Sequence, residues 1–285
     1  MKISVVIPSR NRYSNLIFVL DALIKQTLPK EEFEVIVSDD NSNDETWTII
    51  SEYRSQLNLK YIFSNIPKPH TWNASVVRNL GAMVADPSTQ AYYFVDSDVV
   101  LPPEALANVV EDLEKDPNRV IIGPYDFLTQ NGDKVRYPNG EEGDVRNVTF
   151  REKPTDQTYN SIPDGLACFG GNLVIPKAIF WSVKGFSVDT HIGLEDGDMG
   201  LKLWKKGVRF SYDDRNRGRH LWHESPPDRF PPDMREHVEK LNQKHFHMST
   251  QEVDQKMDLI SATRETYEHW GITGWEPPEE WGEIK

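Results

Sequence analysis

Asp96 and Asp98 stand one residue apart at the end of Ala91-Tyr92-Tyr93-Phe94-Val95-Asp96-Ser97-Asp98-Val99-Val100. Carboxylates are hard oxygen ligands. Two of them at this spacing can hold a divalent cation, and that cation can hold a diphosphate. The competing reading is that they satisfy the amides of a turn and of the next helix. A second acidic pair, Glu195-Asp196, lies in Gly193-Leu194-Glu195-Asp196-Gly197-Asp198. Adjacent side chains on a helix project about 100° apart, so the two acids can take separate roles. Their plainer role is to favour a helix N-terminus.

The elements that must position these acids are readable. Ala91–Val95 is an uninterrupted apolar and aromatic run, the pattern of a buried strand, and Leu101-Pro102-Pro103-Glu104 begins a helix. Ile3–Ile7 reads as a central parallel strand. The polar loop Pro8-Ser9-Arg10-Asn11-Arg12 follows, then a helix capped by Ser14 or Asn15 with Leu16, Val19, Leu20, Leu23 and Ile24 on its apolar face. Phe33–Val37 is the next strand. It ends in Ser38-Asp39-Asp40-Asn41-Ser42-Asn43-Asp44, a turn able to cap the helix through Trp47 and Ile50. Leu59–Phe63 is a third strand, and a helix near 74–85 carries Arg78 and Asn79. Strand and helix alternate, which predicts an α/β fold with a parallel sheet. Ligands in such sheets sit beyond the carboxyl ends of the strands, here near Pro8, Asp39 and Asp96.

The second half is less regular. Arg119–Ile122 reads as a strand, and 124–164 as a polar loop or hairpin insertion with Gly132, Gly140 and Gly143. Gly170-Gly171-Asn172 implies close backbone approach or positive φ. The helix opened by Glu195 and Asp196 ends at Lys205-Lys206-Gly207, with charges that suit its dipole. Val208–Tyr212 is a strand, and Arg219–Pro227 an irregular segment with His220 and His223. Beyond about Phe230, one or two amphipathic helices lead to a tail with Trp270, Trp275 and Trp281.

Composition narrows the function classes. The chain has 285 residues, 38% of them hydrophobic and 27% charged, in the range of a globular protein. Its net charge of −13 argues against nucleic acid as a partner. The single cysteine, Cys168, excludes an intrachain disulfide and fits a reducing compartment. The apolar part of the N-terminus is short for a signal peptide, and no run approaches 18 apolar residues, so a cytoplasmic location is expected, compatible with peripheral membrane attachment. The acceptor sites Asn73 and Asn147 would matter only in a secreted protein.

Seven motifs in order carry a resemblance. They are Val5-Val6-Ile7-Pro8-Ser9-Arg10-Asn11-Arg12, Val37-Ser38-Asp39-Asp40-Asn41-Ser42, Val77-Arg78-Asn79-Leu80-Gly81, Phe94-Val95-Asp96-Ser97-Asp98, Gly170-Gly171-Asn172, Gly193-Leu194-Glu195-Asp196 and His223-Glu224-Ser225-Pro226. Over roughly residues 1–227 the chain resembles the inverting glycosyltransferases of the GT-A fold, in the large family that includes chondroitin-polymerase domains and bacterial capsule, lipopolysaccharide and teichoic-acid transferases. The last three motifs look most like its galactosyl- and N-acetylgalactosaminyl-transferring branch. Asn41 departs from the family's usual glycine, mildly, because asparagine tolerates left-handed backbone.

The resemblance implies a GT-A catalytic domain over 1–227, with a nucleotide-sugar half (1–123), a mixed acceptor half (124–227) and a helical extension over 228–285. It implies transfer of a galactose-, GalNAc-, glucose- or GlcNAc-type sugar from a UDP-sugar to a glycan hydroxyl, with inversion, as in polysaccharide biosynthesis. Nucleotide contacts fall on Pro8, Ser9, Arg10, Asp39, Arg78, Asp96 and Ser97, with Asp39 taking the uracil imide N–H. Asp98, His223 and Asp96 are the metal contacts, His220 competes with His223, and Mn²⁺ is preferred to Mg²⁺ because an imidazole suits the borderline metal. Asp196 is the base and Glu195 its catalytic neighbour; Glu195, Gly171 and Asn172 hold the acceptor. Two alternatives stand beside this. A sugar-nucleotide nucleotidyltransferase would need a glycine-rich loop, and Pro8–Arg12 has no glycine. A non-catalytic carbohydrate-binding protein would not need Asp96, Asp98 and Asp196 together.

Overall fold

The computed structural model describes residues 1–65, 74–136, 142–144, 157–160, 165–189, 194–224, 241 and 244–245. The N-terminal strands and helices run in order as β1 (Ile3–Ser9), α1 (Tyr13–Ile24), β2 (Phe33–Asp39), α2 (Thr46–Tyr53), β3 (Leu59–Phe63), α3 (Ala74–Met83) and β4 (Ala91–Val95). Then come β5 (Val99–Val100), α4 (Ala105–Lys115), β6 (Arg119–Ile122), β7 (Tyr125–Phe127) and β8 (Asn172–Pro176). The remainder is α5 (Lys177–Ser182), α6 (Glu195–Lys205), β9 (Arg209–Tyr212) and β10 (Gly218–His220).

Seven strands form one sheet in the order β3-β2-β1-β4-β8-β6-β9. β8 runs antiparallel to both of its neighbours, and the other neighbouring pairs are parallel. The apolar runs of β1, β2 and β4 are buried along both faces, as a sheet covered by helices requires. One core layer joins that sheet to α1, α2 and α4. The other gathers Tyr92, Phe94, Phe180 and Phe186 on the opposite face. The expected halves are not side by side, because β8 lies between β4 and β6. The extension expected from 228 lies outside the described residues apart from Leu241, Lys244 and His245.

Two local expectations are corrected. Ser14 and Asn15 lie inside α1 and do not cap it. Its first amide, Tyr13 N–H, donates to Asp44 Oδ2 at 3.0 Å. Asp44 Oδ1 accepts from the Thr46 amide, also at 3.0 Å, so one carboxylate serves two helix starts. Arg219 and His220, the start of the segment read as irregular, lie in β10, which joins β5 and β7 in a second sheet of order β5-β10-β7. Asn41 does sit in left-handed backbone, with φ 61°.

Asp44→Ala removes both caps. It should lower the unfolding free energy by about 1–3 kcal/mol, measured by urea titration. A change within error of zero would show that other groups cap α1 and α2.

Candidate functional site

The parallel register of β1, β2 and β4 brings their carboxyl ends to one edge, with Ser9 opposite Asp39. Asp39 is fully buried there. Its Oδ1 accepts from the Ser42 amide at 2.7 Å and its Oδ2 from the Tyr61 hydroxyl at 2.9 Å. The carboxylate expected to meet uracil is thus in position but already partnered. Tyr61, which sequence reasoning did not single out, stands beside it on β3. Arg10 Nη1 donates to the Asp40 carbonyl at 3.2 Å. Pro8 is half-buried, Ser97 is buried, and the buried Ser9 hydroxyl has no hydrogen-bond partner among the described residues.

Arg78, expected at the nucleotide, reaches the β4 end of this edge through Asp96 and is shared with the acids of α6. Almost wholly buried on α3, it donates to Asp96 Oδ1 (2.9 Å), Glu195 Oε1 (3.1 Å) and Asp196 Oδ1 (3.3 Å). The carboxylates come from the end of β4 and the first turn of α6, so one guanidinium ties three elements together. Burial raises the Asp196 carboxyl to about 7; Glu195 and Asp96 add to the rise, while Arg78 and the Gly170 amide oppose it. A fifth of the Asp196 side chain remains open to solvent. Glu195, expected beside the acceptor, is buried against Arg78.

The glycine pair is explained by crowding. A Cβ on Gly170 would lie 2.6 Å from Asp196 Oδ1, and one on Gly171 2.9 Å from Asp96 Oδ2. Neither has positive φ, so close approach is the reason. Asn172, expected at the acceptor, is buried and braces the sheet: its Oδ1 accepts from Tyr93 Oη at 2.7 Å, and its Nδ2 donates to the carbonyls of Pro124 and Asn216.

The third group is assembled by the small sheet. β5 follows Asp98 directly and pairs antiparallel with β10, His220 opposite Val99. The Leu221 amide then donates to the Asp98 carbonyl at 2.8 Å. This brings His220 Nε2 to 3.5 Å from Asp98 Oδ1 and His223 Nε2 to 3.2 Å from Oδ2. Both histidines gather at Asp98. Asp96 is outside the group, its Oδ1 turned to Arg78. Burial pushes the Asp98 carboxyl up, but His220, His223 and Arg12 outweigh it and hold it far below the usual carboxylate range. Arg12, from the β1–α1 loop, places Nε 3.6 Å from Asp98 Oδ2 and Nη2 3.0 Å from His223 Nδ1.

One ligand atom from each of Asp98, His220 and His223 lies within 4.8 Å of the others. Asp98 Oδ1 is buried with no hydrogen bond. His220 Nδ1 lies 3.1 Å from the Leu221 carbonyl, which can only accept. Protonated, the ring is an imidazolium paired with Asp98, which helps hold that carboxyl low. Neutral, with Nδ1–H on the carbonyl, it turns the Nε2 lone pair toward Asp98, as a metal ligand does, and the carbonyl contact is the usual outer support of a metal-bound histidine. The residues fit a divalent ion. Gly193, Ser225–Pro227, Asn73, Asn147, the tryptophan tail and about half of the 124–164 insertion lie outside the described residues.

The sequence profile of the family described as Glycosyl transferase family 2 matches residues 4–179. The chain is 30% identical over 225 residues to validoxylamine A glucosyltransferase of Streptomyces hygroscopicus subsp. jinggangensis, covering 72% of this chain and 52% of that protein. It is 29% identical over 248 residues to chondroitin synthase of Escherichia coli, covering 79% and 35%. It thus spans about half or less of the length of these relatives. Among solved structures, residues 1–349 of TarS from S. aureus with UDP-GlcNAc align with TM-score 0.63 at 20% identity, covering 92% of this chain and 78% of that one. A mannosyltransferase from Pyrobaculum calidifontis with GDP-Man and Mn²⁺ aligns with TM-score 0.59 at 19% identity, covering 87% and 65%. The fold is that of the GT-A structures, α/β with a mainly parallel central sheet. Among the described residues, no helix is long and apolar enough to cross a membrane.

Arg78→Met leaves three buried or half-buried carboxylates without their cation. Stability at pH 7 should fall by about 3–5 kcal/mol in urea titrations. The loss should shrink at pH 5, where Asp196, its carboxyl raised to about 7 even with Arg78 in place, takes up a proton. Equal losses at both pH values would exclude charge as the cause.

Proposed function

The chain belongs to glycosyl transferase family 2, and from that membership we propose that it transfers a sugar from a UDP-sugar to a carbohydrate hydroxyl, with inversion. Asp196 is the general base, and Asp98, His220 and His223 hold a divalent cation, Mn²⁺ in preference to Mg²⁺. The observation that carries this reading is geometric: Asp98, His220 and His223 each bring a ligand atom within 4.8 Å of the others just beyond β4, while Asp196, held by Arg78 at the start of α6, keeps a fifth of its side chain open to solvent. The rise of the Asp196 carboxyl to about 7 suits a proton acceptor.

Asp196 meets the acceptor hydroxyl through its open fifth and takes its proton as the new bond forms. Arg78 keeps that carboxylate at the α6 terminus, and Gly170 leaves room for it. A bound cation would act as a Lewis acid on the diphosphate leaving group. An imidazole-bearing site favours Mn²⁺ over Mg²⁺. Asp39 takes the uracil imide by exchanging the Tyr61 hydroxyl on Oδ2 for the base N–H, with Ser42 keeping Oδ1 in place. The UDP-GlcNAc complex of TarS supports a uridine donor, the GDP-Man complex of the mannosyltransferase is the competing case, and the names of the relatives support glucose- or hexosamine-type sugars.

Nucleoside diphosphate release, measured with a panel of UDP-sugars and GDP-mannose over simple sugar acceptors, tests the donor and the metal. Release from a UDP-sugar should require Mn²⁺ and vanish in excess EDTA and in Asp98→Asn. Full activity in EDTA would refute the cation.

The base is tested separately. kcat/KM should rise about tenfold per pH unit below pH 7 and level off above it, because Asp196 must be ionised to accept a proton. Asp196→Asn should keep UDP affinity and lose about 10²–10⁴ in kcat. Near-normal turnover in that variant would remove Asp196 from the role.

A further inference from the structure

The first turn of α6 carries two exploited acids, Glu195 and Asp196, and a third, Asp198, that the reaction does not use. Two positions along a helix turn a side chain by about 200°, so Asp198 points away from the face that offers Asp196. It is fully buried. A carboxylate buried so deeply must be paired, and its partners come from far along the chain. Asp198 Oδ1 accepts from His245 Nε2 at 2.7 Å and from Lys244 Nζ at 2.9 Å. Lys202, one turn on, stands 3.7 Å from Oδ2. Lys202 and Lys244 also both donate to the Ser187 hydroxyl, at 3.1 and 3.0 Å, in the segment before α6. Leu241 and His245 are buried as well, so these residues are seated on the helix, not passing over it.

The helix that carries the base is thus gripped from two sides. Arg78 holds its front through Glu195 and Asp196, and the 244–245 pair holds its back through Asp198. Among the described residues, no side chain caps the helix at Leu194. The back grip acts at the same turn. The family profile stops at residue 179, so the grip lies in a part of the chain that the family match does not cover.

We propose that His245, with Lys244, is a positioning residue of the active site: its hydrogen bond to Asp198 sets the orientation of the α6 first turn and hence of Asp196. This rests on the reading of Asp196 as the base. The geometry gives the imidazole a specific task. Nε2–H is directed at Oδ1, and a shift of the helix start by a fraction of an ångström moves Asp196 relative to an acceptor oxygen. Reaction rates respond steeply to such displacements, whereas donor binding at the β1–β2–β4 edge does not depend on them.

The test uses the full chain and the donor found active in the release assay. His245→Ala, His245→Gln, Lys244→Met and Asp198→Asn are compared by kcat, acceptor KM, UDP·Mn²⁺ affinity by calorimetry, and melting temperature. His245→Ala should lower kcat at least tenfold with UDP affinity unchanged within twofold. His245→Gln, whose amide can still donate to Asp198, should recover most of the loss, and Lys244→Met should have the smaller effect. If His245→Ala does not fold, the glutamine and asparagine variants decide: near-wild-type kcat in Asp198→Asn overturns the proposal. So does a His245→Ala enzyme with unchanged kcat, or one whose kcat and UDP affinity fall together. Asp196→Asn in the otherwise intact chain separates the two ideas. If it keeps turnover, the base assignment fails whatever His245 does.

Discussion

The molecule is organised around the burial of one positive charge. Arg78 sits inside the protein, where an unpaired guanidinium would be prohibitive, and three carboxylates from the ends of β4 and α6 converge on it. That convergence sets the distance between the nucleotide-side strand and the helix that carries Asp196. It also dictates the glycines at 170 and 171, whose missing side chains leave room for Asp196 and Asp96. The arginine stabilises the ionised form of Asp196 while burial disfavours it. The net result is a carboxyl at about 7, able to accept a proton without being locked in either state.

Asp96 and Asp98 show how backbone pairing divides two like residues. The turn between them ends in β5, and β5 is the edge on which β10 pairs. Asp98 is thereby delivered to two imidazoles and Asp96 is left to the arginine. Two carboxylates one residue apart thus end in different surroundings, one among imidazoles and the other on the guanidinium that also holds Asp196.

Much of this was legible in the sequence. The continuous apolar runs of Ile3–Ile7 and Ala91–Val95 could only be buried strands, and the acids at their ends followed from the chain's own order. What could not be read depends on partners distant in sequence. β10 has three residues, too few for any periodicity, and exists because β5 and β7 flank it. Asp44 caps α1 across a gap of thirty-one positions. That Asn172 braces the sheet could not be read, because Tyr93, Pro124 and Asn216 meet only in the fold. The surroundings of Arg78 were hidden for the same reason: a mid-helix arginine does not announce which carboxylates will surround it. Lys244 and His245 carry no motif at all.

The antiparallel strand β8 has a consequence for how the chain is made. The pairing β1–β2–β3–β4 can be completed from the N-terminal third alone. β6 cannot join anything at that stage, since its neighbours β8 and β9 both come later in the chain. On the ribosome, the apolar Val120, Ile121 and Ile122 must therefore wait unpaired until synthesis has passed Asn172, with one edge of β4 equally bare. Open strand edges are where nascent chains associate wrongly, and a late insertion between two existing strands is a slow, non-local event. The strand that closes the sheet between β4 and β6 is thus also the one on which safe maturation of the protein turns.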